Sequence, residues 1–270
     1  MNAALLSYSL HLADTALIAG HRNSEWTGHG PILEQDIALS NIALDQIGQA
    51  RFFYQYAARI CNTVPTAQLP SVTGTEFCTP VASTIGEDDL AYFRDARDYL
   101  NLLLVELPDG DWGQTILKQF LLAAYQHCLF DKLAGSSDPD LAAIAVKSLK
   151  EITYHLRWSG EWVIRLGDGT TESHARMTRA MELLWRYTGE LFLNTPYETE
   201  LAAQGITVAP ETIRQPWSDK VLPVLQRAGL NIPEGQFLLQ TGKLGQHTEH
   251  LGYLLAEMQF LQRAYPGNEW

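Results

Sequence analysis

PILEQDIALSNIALDQIGQARFFYQYAARI (31–60) decides the fold of this chain. Its apolar residues recur three and four apart, and no proline follows Pro31, which suits the first turn of a helix. Such a run reads as one long amphipathic helix. Ala38, Ile42, Asp45, Gln49 and Phe52 fall on one face, so a carboxylate stands among apolar neighbours. An acid in such a place needs an ion pair, a hydrogen bond or a metal. Asn41 and Arg51 are near enough in sequence to pair with it, so a structural and a metal-binding reading both stay open.

The same periodicity extends outward. It predicts helices near 3–19, 31–60, 88–106, 112–134, 138–166, 174–193, 211–229 and 246–264. Asp138 reads as a cap ahead of Pro139, and Gly135 and Gly167 read as stops. The best extended candidate, 206–209, is too short to found a sheet. An all-α bundle in one domain, 1–270, follows. Its clearest irregular loop is 61–86, with three prolines and two glycines, and two further irregular stretches lie near 195–210 and 231–245.

The chain has 270 residues, 46% of them hydrophobic, and a net charge of −12. It can bury a sizeable core. Its acidity argues against general binding to nucleic acid or an anionic membrane. The apolar start MNAALLSYSLHLADTALIAG lacks a basic leader and is interrupted by Asp14, so it reads as a core helix and no membrane span is expected. Cys61, Cys78 and Cys128 have no metal-type spacing and suit a reducing, cytoplasmic compartment. No Gly-rich phosphate loop, dinucleotide fingerprint or nucleophile elbow is present; Ser159-Gly160 lies inside a helical pattern.

A carboxylate-bridged di-iron bundle uses Glu-x-x-His twice, because that spacing puts both ligands on one helical face. None of the eight histidines follows an acid by three positions. Glu151 and His155 are four apart, which displaces the acid by about 100° around the helix. They can form an intrahelical hydrogen bond or a metal pair. His247, His250 and Glu257 share a second helical face, with Glu249 beside them, and could ligate a metal or mark a surface.

Four linked segments carry a resemblance: EWTGHGPILEQDIALSNIALDQIGQAR (25–51), NLLLVELPDGDW (101–112), KEITYHLRWSGEWVIRLGDGT (150–170) and GQHTEHLGYLLAEMQFLQRAYPG (245–267). Together they resemble the structural, non-catalytic subunit of bacterial phenylacetyl-CoA 1,2-epoxidase. The resemblance implies a ferritin-like bundle with additional helices. It implies a sister subunit whose di-iron centre inserts one oxygen atom across the aromatic ring of phenylacetyl-CoA. It also implies a reductase with FAD and an iron–sulfur cluster that draws electrons from NADPH. Catalytic, cofactor-binding and metal-binding residues would then be absent from this chain. The sister's six ligand positions would fall on or near Asp14, Asp45, Gly48, Ala123, Ile152 and His155. Gly48, Ala123 and Ile152 offer no ligating side chain, and the polar survivors can pair with one another, His155 with Asp45.

Two other functions compete with that one. A metal-dependent oxygenase could draw on Asp45, Glu151, His155, Glu249 and His250. A ferritin-like binding protein would keep a vacant core. The structural-subunit reading expects a large apolar helix interface with the catalytic sister, with Trp158, Trp162 and Trp185 as candidate anchors.

Overall fold

The computed structural model describes residues 2–63, 84–235, 241–266 and 268. The first helix, α1 (Asn2–Ser24), has its residues from Ala4 to Ala19 buried with one partial exception at Ser7. A helix covered on every face is a central one. By length and composition α1 could cross a membrane, at a mean hydropathy of 1.2, but 89% of that window is buried inside the protein.

Two glycines set the turn into α2 (Leu33–Thr63). Gly28 adopts φ +86°, and a side chain on Gly30 would stand 2.7 Å from Asp36. Asp36 accepts hydrogen bonds from both glycine amides, at 2.8 and 3.1 Å, and so holds the turn against the helix.

The elements that follow are α3 (Glu87–Tyr92), α4 (Leu103–Glu106) and then two long helices. These are α5 (Trp112–Leu133), capped by Asp111, and α6 (Pro139–Gly167), capped by Asp138 with Pro139 in the first turn. The end of α6 lies so close to Ala228 that a Cβ on Gly167 would stand 2.4 Å from that carbonyl. Helices α2 and α6 run antiparallel. Their register shows in Asp45–His155 at 2.9 Å, Gln49–Glu151 at 2.8 Å and Arg59–Asp140 at 2.9 Å. With α1 and α5 they form the all-α, ferritin-like bundle, and one connected apolar core extends from Ala4 to Leu255.

The chain continues through α7 (Thr171–Leu184), α8 (Pro196–Ala203), α9 (Arg214–Arg227), α10 (Glu249–Met258) and α11 (Phe260–Ala264), which with α3 and α4 are additional to the bundle. Helix α8 occupies part of the stretch near 195–210 that reads as irregular from sequence; Thr195 caps it and Pro196 begins it. The predicted helix over 174–193 changes to a 3-10 turn at Trp185. The loop at 61–86 is helical to Thr63 and resumes as described chain at Thr84; residues 64–83, with Cys78, and 236–240 lie outside the described residues.

The largest departure from the sequence reading is at 88–106, which is not one helix. After α3 the chain makes a short 3-10 turn (Ala96–Asp98), then crosses the interior extended before α4. Tyr99, Asn101 and Leu102 are wholly buried there. A helix would have satisfied its own backbone, whereas an extended buried segment needs partners. Asp14, Thr15 and Glu190 accept from the amides of Leu100, Leu102 and Leu103 at 2.8, 3.3 and 2.7 Å, and His11 bonds the Leu100 carbonyl at 2.7 Å.

Candidate functional site

Asp14 projects from the middle of α1 and is fully buried. Both of its oxygens face the Arg94 guanidinium; Oδ1 also accepts from the Tyr54 hydroxyl and Oδ2 from the Leu100 amide. Arg94 is itself buried, stacked 4.4 Å from the centre of the Tyr99 ring. Burial opposes its charge most strongly, but the Asp14 carboxylate, together with the Tyr54 and Tyr99 hydroxyls, outweighs burial and holds the guanidinium above its ordinary range. Burial, and then the Asp14 carboxylate, push the Tyr54 phenol far up. Asp14 is therefore the anchor of an internal ion pair.

Asp45 does not sit among apolar neighbours. Its side chain is 38% exposed at the α2–α6 seam, and it pairs with neither Asn41 nor Arg51. Its Oδ2 lies 2.9 Å from Nε2 of the fully buried His155. Glu151 accepts from Gln49 Nε2 at 2.8 Å, so the intrahelical Glu151–His155 bond does not form: both residues reach across to α2 instead. Between Asp45 and Gln49, a Cβ on Gly48 would meet nothing within 4 Å. Ala123 and Ile152 are both fully buried within the core.

The second histidine cluster does not assemble as a ligand set. The His247 ring is committed to the Glu106 carboxylate at 2.9 Å and the Tyr99 carbonyl at 2.8 Å. His250 is partly buried, and its carbonyl accepts from Arg22; Glu249 and Glu257 are exposed. Among the described residues no three His, Cys, Asp or Glu side chains converge as a metal site. The tryptophans expected as partner anchors point inward. Trp158 and Trp162 both donate to Gln35 Oε1, at 3.0 and 2.7 Å, and pack edge-on to Trp112. Trp185 packs 5.6 Å from Trp217. Gln35, in the first turn of α2, draws the two indole N–H groups down onto the bundle.

A different surface is left open. Leu33, Ile37 and Leu44 on α2 are 70%, 51% and 66% exposed, with Ile32 at 53% beside them. Spacings of four and seven put the three on one face. No sequence signal separated that stripe from the core stripe, because both obey the same period.

Residues 1–270 match the model of the family described as phenylacetic acid catabolic protein. The chain belongs to the phenylacetic acid catabolic protein family. It is 44% identical over 266 residues to one of the subunits of the 1,2-phenylacetyl-CoA epoxidase of Escherichia coli (strain K12), a match that covers 98% of this chain and 99% of that one.

In this member of the phenylacetic acid catabolic protein family the residues present do not fit a di-iron centre. Two irons carry at least four positive charges, which oxygen and nitrogen ligands must offset. Asp14 is already neutralised by Arg94, and Gly48, Ala123 and Ile152 supply no donor. Asp45 and His155 remain, and they are bonded to each other.

Sequence reasoning missed Arg94, the partner that decides the role of Asp14. It also missed Glu106 and Glu190, the acids that hold the buried extended segment. A signal was present: Asp95 and Asp98 stand at the three-residue spacing of a helix start, and Asp98 Oδ2 accepts from the Asp95 amide at 3.2 Å, which marks a fresh start inside the predicted helix.

Proposed function

We propose that this chain is a non-catalytic structural and assembly subunit of a phenylacetyl-CoA 1,2-epoxidase in phenylacetate catabolism. It works in the cytoplasm and stabilises a catalytic sister that holds the di-iron centre. A reductase carrying FAD and an iron–sulfur cluster, fed by NADPH, completes the assembly. The observation that carries this reading is the use of Asp14. A side chain at a would-be ligand position is locked into a buried ion pair with Arg94, so this carboxylate holds the fold together and is not free for a metal. The relationship to a subunit of an epoxidase supports membership of such a complex.

The α2 stripe of Leu33, Ile37 and Leu44 is the surface that meets the sister. Exposed apolar side chains aligned on one helix gain by burial against another, and obligate interfaces have apolar centres. The test is co-expression with a di-iron sister of the same system, followed by separate iron assays on each chain. The sister's soluble yield rises in the presence of this chain, iron tracks the sister alone, and ring epoxidation needs both. Stoichiometric iron and turnover in this chain by itself overturn the proposal.

A further inference from the structure

The start of α10 is tied to the buried segment 99–106 by the His247 ring and, beside it, the Thr248 amide. His247 Nδ1 lies 2.9 Å from Glu106 Oε2, and its Nε2 lies 2.8 Å from the Tyr99 carbonyl oxygen. Both partners only accept. A neutral imidazole has a single N–H, so it can satisfy one of them and must turn a lone pair on the other. Only the imidazolium donates to both. The His247 side chain is 4% exposed and that of Glu106 is fully buried, so both are largely withdrawn from solvent.

The surroundings reinforce the charge. Glu106 also accepts from the Thr248 amide at 2.6 Å and from Asn101 Nδ2 at 3.0 Å. From α1, Asp14 attracts the ring through space, while Arg22 binds the Glu106 and His250 carbonyls. Arg97 from the 3-10 turn lines the adjoining cleft, together with Glu249 from α10 itself. Burial pulls the ring's proton affinity down, but the bond to Glu106 and its charge, with the Tyr99 carbonyl, prevail and raise it above the ordinary value.

We propose that His247 is an imidazolium latch that seats the start of α10 on segment 99–106, and that losing its proton opens the latch. Opening unseats Leu251, Leu254 and Leu255, which are buried when α10 is docked. The far end stays tied, because Gln259 Nε2 donates to the Arg94 carbonyl at 3.0 Å and Arg263 Nη2 does so at 2.8 Å. The element therefore hinges at its C-terminal side.

The test is made on the full-length chain. Imidazole NMR shifts follow the His247 titration while hydrogen exchange reads the amides of Thr248 and 251–255 across the same pH interval. The latch predicts a midpoint above 6.5, the ordinary value. It also predicts that protection, corrected for intrinsic base catalysis, falls on the order of tenfold through that midpoint, the weight of one charge-assisted hydrogen bond. Glu106→Gln moves the midpoint down. A midpoint at or below 6.5, or protection that stays flat while the ring titrates, overturns the proposal. The unsubstituted chain decides the outcome alone, so it stands even where Glu106→Gln does not fold.

Discussion

Asp14→Asn keeps the shape of the side chain and removes its charge. Arg94, which is 1% exposed, is then left as a buried cation with no counter-ion. The Tyr54 hydroxyl and the Leu100 amide donate to different oxygens of Asp14, so the one oxygen of the new amide keeps an acceptor for only one of them. Breaking a buried pair by removing one partner costs about 3–5 kcal/mol. Unfolding entropy near 2.1 cal/mol/K per residue amounts to roughly 0.6 kcal/mol/K for a chain of 270 residues. The melting temperature should therefore fall by about 5–9 °C, measured by far-UV circular dichroism. Replacing both partners by apolar residues, Asp14→Leu with Arg94→Met, should recover much of that loss, because no charge is then stranded. A loss under about 1 kcal/mol in the single variant would refute the structural assignment of Asp14, since a surface pair is worth no more.

Three further outcomes follow from the geometry. Placing aspartate at Leu33, Ile37 and Leu44 should abolish co-purification with the catalytic sister and leave the melting temperature of the isolated chain nearly unchanged, because all three are exposed; pull-down and calorimetry read the two effects separately. Glu190 is pushed up to about 7 by burial, against the pull of the amides of Leu103, Gly242 and Lys243 and of the Lys243 charge. Its folded value exceeds its unfolded one, so its contribution is complete below about 4.5 and is lost as pH rises through about 7. Urea midpoints for Glu190→Gln should accordingly fall less than those of the unsubstituted chain across that window. Gly242→Ala should cost roughly 2 kcal/mol or more in urea unfolding, because its Cβ would lie 2.4 Å from the Asn101 carbonyl, a backbone atom that cannot step aside cheaply.

The bundle was legible where one helix carries its own evidence. Helices α2, α5 and α6 begin and end close to where caps, Pro139 and the apolar period put them. Segment 88–106 misled because Leu100, Leu102, Leu103, Leu104 and Val105 are as compatible with a helix as with any other buried backbone. What replaced its internal hydrogen bonds came from Asp14, Thr15 and Glu190, which are distant in the chain. The pairing of Asp45 with His155 was weighed from sequence, but the partner of Asp14 was not, because Arg94 stood inside a predicted helix as an ordinary charged residue.

Taken by itself, the order of residues determined an all-helical chain, the caps of its long helices and the absence of any Glu-x-x-His pair. Those are properties of spacing, and spacing on a helix is local physics. Only the tertiary structure decided which acids meet which cations, which apolar stripe is covered and which faces solvent, and that His247 is gripped by two acceptors at once. Burial and charge pairing depend on what distant segments bring to the same few ångströms, and no periodicity along one segment encodes its neighbour.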